Sequence, residues 1–237
     1  MTSFDTNSYR KISLYYIELG EKKLLKKCLS SLDIDKKVFL YYSRYKNIPI
    51  CALPKLRFIL SSRPGFLSFC YNFFTFANAY NTTIEICPFS IECIAKFVIS
   101  HEVGHILDPD IYNTRENYSI ILSSIVDKLI EFNIDVSSEN FHENSIPIEL
   151  ENCVVALKKN LIDRESKAWD IAKSILVFKN SQEKFIFNKT KEYALATYNF
   201  GNLKNIVKEH NIDLYFKYKR HFMWLEQFFF NIWIPFL

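Results

Sequence analysis

Apolar residues recur at helical spacing along most of this chain, and the candidate strands all fall within its first 90 positions. Residues 9–32 carry Ile12, Leu14, Tyr15, Ile17, Leu24, Leu25, Cys28 and Leu29 at intervals of three and four, which predicts one helix, with Lys22, Lys23, Lys26 and Lys27 as its solvated face. Residues 38–45 and 56–60, punctuated by Pro49, Pro54 and Pro64-Gly65, fit short strands or short helices. Residues 66–77 are rich in aromatics, 78–82 have turn chemistry and 83–87 alternate at period two. Together they predict antiparallel strands joined by a hairpin, with Pro88 ending the last strand. Ser90 is then the expected N-cap of a helix over 91–107, built on Ile91, Ile94, Ala95, Val98, Ile99 and Ile106 and stopped by Pro109. A second amphipathic helix is expected over 115–132 and a polar loop over 133–145. Beyond Pro147 a long helix carries the stripe Leu150, Val154, Leu157, Leu161, Ala168, Ala172, Leu176. Helices over 185–200, 203–210 and 214–230 complete the reading, with Gly201-Asn202 as a stop between them. The fold class is α+β: a helix-rich domain with a small antiparallel sheet beside the 91–107 helix.

Polar residues that interrupt two of these stripes carry the chemistry. His101 and His105 continue the Ile94–Val98 stripe near the end of the 91–107 helix, and Asp108 follows. Two histidines four apart stand one turn above each other, so both imidazoles can bind one metal ion. Glu102 sits one residue along, where a carboxylate can reach a water on that metal. His101-Glu102-Val103-Gly104-His105 is therefore an HExxH zinc-hydrolase motif. Glu165 fills the gap between Leu161 and Ala168 in the later stripe. A carboxylate on a core stripe is costly unless its charge is cancelled. A metal already held by two histidines is the first candidate partner, while Arg164, Lys167 and Asp170 fall off the stripe. Glu149, Glu151, His142 and Asp163 are the other third-ligand candidates.

Two imidazoles and a carboxylate leave one tetrahedral position for water, whose pKa zinc lowers towards ~7. Glu102 is then the general base and proton shuttle. A donor to the developing oxyanion is also needed, and Tyr198 ranks first among Tyr193, Tyr198, His210 and His221. Gly104 costs about 1 kcal/mol in a helix relative to Ala, which suggests that another backbone passes close to it. Asp108 is a candidate acceptor for a ligand imidazole, and equally a plain helix-terminal residue.

The run Thr83-Ile84-Glu85-Ile86-Cys87-Pro88, followed by Ser100-His101-Glu102-Val103-Gly104-His105-Ile106-Leu107, resembles the ImmA/IrrE-like metallopeptidases. Glu165-Ser166-Lys167-Ala168-Trp169-Asp170-Ile171-Ala172 matches that family's later helix, whose Glu is the third zinc ligand. The resemblance covers roughly residues 75–176. It implies a zincin-like fold, a gluzincin-like ligand set of His101, His105 and Glu165, and cleavage of a specific partner protein such as a transcriptional regulator. The connection over 106–164 is longer than is usual in the family, and the 115–132 helix reads as an insertion. The expected organisation is an N-terminal helical and strand segment over 1–65, a metallopeptidase core over 66–180 and a C-terminal helical segment over 181–237, all in a single compact unit.

Composition narrows the surroundings. Thirty basic and 26 acidic residues give a net charge of +4, too mild to call for nucleic acid. No apolar run approaches a membrane span. The six cysteines form no CxxC pair and sit mostly in apolar runs, as expected of free thiols in a reducing cytoplasm. The aromatic C-terminal segment is read as a packing element on the domain or on a second subunit. A zinc amidase acting on a small substrate is the alternative enzyme, and a metal-binding interaction protein that does not cut is the alternative outside catalysis.

Overall fold

The computed structural model describes residues 5–79, 84–134 and 146–198. Its elements are α1 (Thr6–Glu18), α2 (Lys22–Ser30), β1 (Phe39–Ser43), β2 (Cys51–Leu53), a 3-10 turn at Pro54–Leu56, β3 (Phe58–Ser62), α3 (Arg63–Ala79), α4 (Pro88–Leu107), α5 (Ile111–Glu131), α6 (Ile148–Ser174) and α7 (Ser181–Ala196). The helix-rich α+β class is the observed one. The elements expected over 135–145 and beyond residue 198 lie outside the described residues.

The first predicted helix is two. Leu19 caps α1, and the Gly20 and Glu21 N–H groups close on Ile17 O at 2.9 Å and Tyr16 O at 3.1 Å. That is a Schellman stop, with Gly20 at φ +83 where a side chain would be strained. Glu21 follows at φ 44 and is buried, held by Arg63 and by the Tyr42 hydroxyl at 2.6 Å.

The predicted hairpin over 66–87 is the main correction. Residues 66–77 belong to the helix α3, which buries Phe66, Leu67, Cys70, Phe73, Phe74 and Ala77 on one face. Aromatic residues favour strands only weakly, and the spacing of these six is helical. Residues 84–87 are irregular chain. The sheet lies earlier and is mixed, not antiparallel: strand order is β1-β3-β2, with β1 parallel to β3 (Phe39 opposite Phe58) and β2 antiparallel to it. It does pack beside α4, through β2 and β3.

The chain forms two compact units. One contains residues 1–108 and 166–196, the other residues 109–165 and 197–237. In the first, α4 is buried on nearly every side from Ser90 to Ile106, amid Ile12, Tyr16, Leu25, Ile59, Phe66, Phe73, Trp169 and Phe187. A helix apolar all round is a core helix. In the second, α5 and the first part of α6 bury Tyr118, Leu122, Ile125, Leu129, Leu150, Leu157 and Leu161 against each other. All six cysteines are free. No described helix is long and apolar enough to cross a membrane.

Candidate metal centre

The helix that carries HExxH starts three residues earlier than the pattern suggests. Cys87 is its N-cap and Pro88 its first residue, a position where a missing N–H costs nothing. Ser90 is the third helical residue: its hydroxyl accepts from the Cys87 N–H at 3.1 Å and donates to Glu85 O at 2.7 Å. At the other end Asp108 is the C-cap, its N–H closing on Gly104 O at 2.9 Å before Pro109. His101, Glu102 and His105 thus lie in the last two turns, each below 10% exposed.

The two imidazoles meet edge-on, with ring centroids 4.6 Å apart, planes 74° apart and Nε2 atoms 3.2 Å apart. Two nitrogens each about 2.0–2.1 Å from one zinc, at a tetrahedral angle, stand about 3.3 Å apart. Without metal the same separation is a hydrogen bond between one protonated and one bare nitrogen. The buried Glu165 comes in from α6, and one ligand atom from each of His101, His105 and Glu165 lies within 4.8 Å of the others. Two imidazoles and a carboxylate are a donor set that could hold one metal ion. Glu102 is 6% exposed and adjoins His101 on the same helix.

Gly104 explains how α6 gets so near. A Cβ there would stand 2.2 Å from Ala168 O and 3.1 Å from Ala168 Cα. Only a glycine lets the two helix backbones touch at this point, and Ala168 is three residues beyond Glu165. The expected close approach is therefore present, and its partner is α6.

Three contacts lie beyond what the apolar pattern indicates. Arg164, off the stripe where solvated charges are expected, has a side chain only 10% exposed and lies 3.3 Å from Glu165 Oε1 and over the Tyr118 ring. Glu165 thus has a protein cation beside it, a partner to which the stripe does not point. Lys167 reaches back to α4, its Nζ 2.7 Å from Asp108 Oδ1, with the Asp108 side chain 1% exposed. Trp169 lies flat on His101, with ring centroids 4.4 Å apart and planes 22° apart.

Glu149, Glu151 and Asp163 are exposed, and His142, His210 and His221 lie outside the described residues. Tyr193 is an aromatic-core residue, 5.4 Å from Phe69 and 5.4 Å from Phe76, with burial pushing its hydroxyl up to about 12. Tyr198 packs against the Tyr118–Leu161 cluster of the second unit. Comparison with known protein families, curated proteins and solved structures finds no match for this chain.

Proposed function

We propose that this chain is a zinc-dependent endopeptidase that hydrolyses a peptide bond in a specific partner protein, with a transcriptional regulator as the substrate class the ImmA/IrrE-like motif suggests. The observation that carries this reading is the convergence of His101, His105 and Glu165, from helices distant in sequence, with the buried Glu102 next to His101 in the chain. A donor trio alone supports a metal site. The glutamate following the first histidine adds a base, and hydrolysis needs one.

When bound, zinc supplies Lewis-acid chemistry, polarising a carbonyl and acidifying water. His101, His105 and Glu165 would hold it. Glu102 takes the proton of the attacking water and delivers it to the leaving amine. Burial of the whole group excludes bulk water and strengthens each of these interactions.

The test is zinc stoichiometry together with Glu102→Gln. The wild-type chain is expected to take up one zinc, and the variant to keep it. Proteome comparison of cells expressing either form should show a fragment dependent on Glu102, with turnover in the variant reduced by about 10²–10⁴-fold. A wild-type protein that takes up no zinc overturns the proposal, as does cleavage that survives in the variant.

A further inference from the structure

Trp169 does more than fill the core. Among the described residues it also meets Phe187 edge-on, 5.6 Å away at 73°, and Phe187 in turn meets Phe97 at 5.3 Å and 87°. Against His101 it is parallel, within 22° at 4.4 Å. Stacked and edge-on packing are both ordinary among rings, and this core also stacks Tyr16 on Phe66 at 4.3 Å and 27°; what sets the Trp169 stack apart is that its partner is a histidine whose Nε2 faces His105. Phe97 and His101 are one turn apart on α4, which closes a chain of four rings: Phe97, Phe187, Trp169 and His101. Three helices of the same unit carry it, and Trp169 is 1% exposed. The imidazole therefore has one face covered by a plane that cannot easily yield. Its χ angles are set, and Nε2 is held towards His105.

The placement on α6 adds to this. Trp169 is four residues beyond Glu165 and adjoins Ala168, whose backbone abuts Gly104. One stretch of helix thus offers the carboxylate and fixes the ring of a facing histidine.

We propose that Trp169 is a positioning residue for the metal, holding the His101 imidazole in its ligating orientation through face-to-face stacking; this rests on the zinc reading above. Preorganised ligands bind without first losing side-chain freedom. Trp169→Leu keeps an apolar group but removes the plane, whereas Trp169→Phe keeps a plane. Zinc affinity of the full chain, measured by competition with a chromogenic chelator, is expected to fall about 10–100-fold in Trp169→Leu. In Trp169→Phe it should stay within about threefold. A purely structural role would lower the melting temperature of the metal-free protein and leave zinc affinity intact. A folded Trp169→Leu protein with wild-type affinity overturns the inference and leaves the metal site standing. A wild-type protein that binds no zinc removes both.

A second measurement decides the matter if Trp169→Leu does not fold. Replacing Trp224 and Trp233 by Phe leaves Trp169 as the sole tryptophan of the three. Cobalt(II) added to that protein should quench its emission in step with the absorption of the bound ion. Cobalt bound with unchanged emission would place the ion away from the stacked pair and overturn the inference.

Discussion

The two ends of α4 lie in one core, the C-terminal end the more deeply, and they use their polar residues differently. At the N-terminal end each polar side chain braces the helix to another part of the chain. Ser90 closes on Glu85 O, Glu92 meets Lys27 at 2.9 Å, and Lys96 reaches Glu183 at 2.6 Å and Val177 O at 2.8 Å. At the C-terminal end His101 and His105 turn towards one another and towards Glu165. Buried polar groups that each find a complementary partner lock a fold. Several metal-type donors brought to one point could hold a metal ion. Changes at the first end should therefore cost stability and spare zinc, and changes at the second should do the reverse.

The largest stability effect is expected at Lys96 and Glu183. Glu183 is 3% exposed and accepts from Lys96 Nζ at 2.6 Å and from the Lys179 N–H at 2.5 Å. Removing its charge in Glu183→Gln strands a poorly exposed ammonium, at a cost of about 3 kcal/mol. Chemical denaturation should show this loss, with zinc affinity within about twofold of wild type. Burial pushes the Glu183 carboxyl up, but the Lys179 and Lys96 hydrogen bonds outweigh it and leave it below its ordinary 4.5. A carboxyl lowered by folding stabilises the protein at pH values above 4.5, and that contribution is lost as pH falls through the lowered value. The acid limb of the stability curve should accordingly be shallower in Glu183→Gln. A large loss of zinc binding in this variant would break the contrast between the two ends.

Gly104→Ala should strike both properties at once. Its Cβ would meet backbone, not a yielding side chain, so α4 and α6 must separate. Overpacking of this kind costs about 1–3 kcal/mol. Glu165 lies on α6 one turn before the contact, so zinc affinity should also fall by about tenfold. Parallel melting and chelator-competition measurements check this. Full zinc affinity in a destabilised variant would show that the site does not depend on the helix contact.

What is legible in the chain follows the range of the interactions involved. The histidine pair is legible because four-residue spacing in a helix is local geometry, and Glu165 because a charge interrupts an otherwise apolar stripe. The helix α3 is hidden because Phe and Tyr suggest strands, although Phe66, Cys70, Phe73, Phe74 and Ala77 keep a helical interval. Gly20 carries a stop signal that the continuous apolar pattern on either side conceals. Ser90 has the side chain of a cap, yet Pro88 already marks the first helical residue. Arg164, Lys167 and Trp169 are not legible as site residues. Their roles depend on which part of α6 meets α4, and that is set by the Gly104–Ala168 contact between segments more than 60 positions apart in the chain.

The smallest effect is expected at Lys167, and it tests where the C-terminal end of α4 stops being structural. Lys167 Nζ meets Asp108 Oδ1 at 2.7 Å, but the lysine side chain is 38% exposed, so water screens the pair. Lys167→Met should cost about 1 kcal/mol. Asp108 caps the helix three residues beyond His105, and Lys167 lies two beyond Glu165, so the pair ties both ligand-bearing helices together next to the site. If it holds the ligands in register, zinc affinity should fall a few-fold along with stability. If affinity is unchanged while stability drops, Asp108 and Lys167 belong with Lys96 and Glu183 as bracing, and the ligand-directed part of α4 ends at His105.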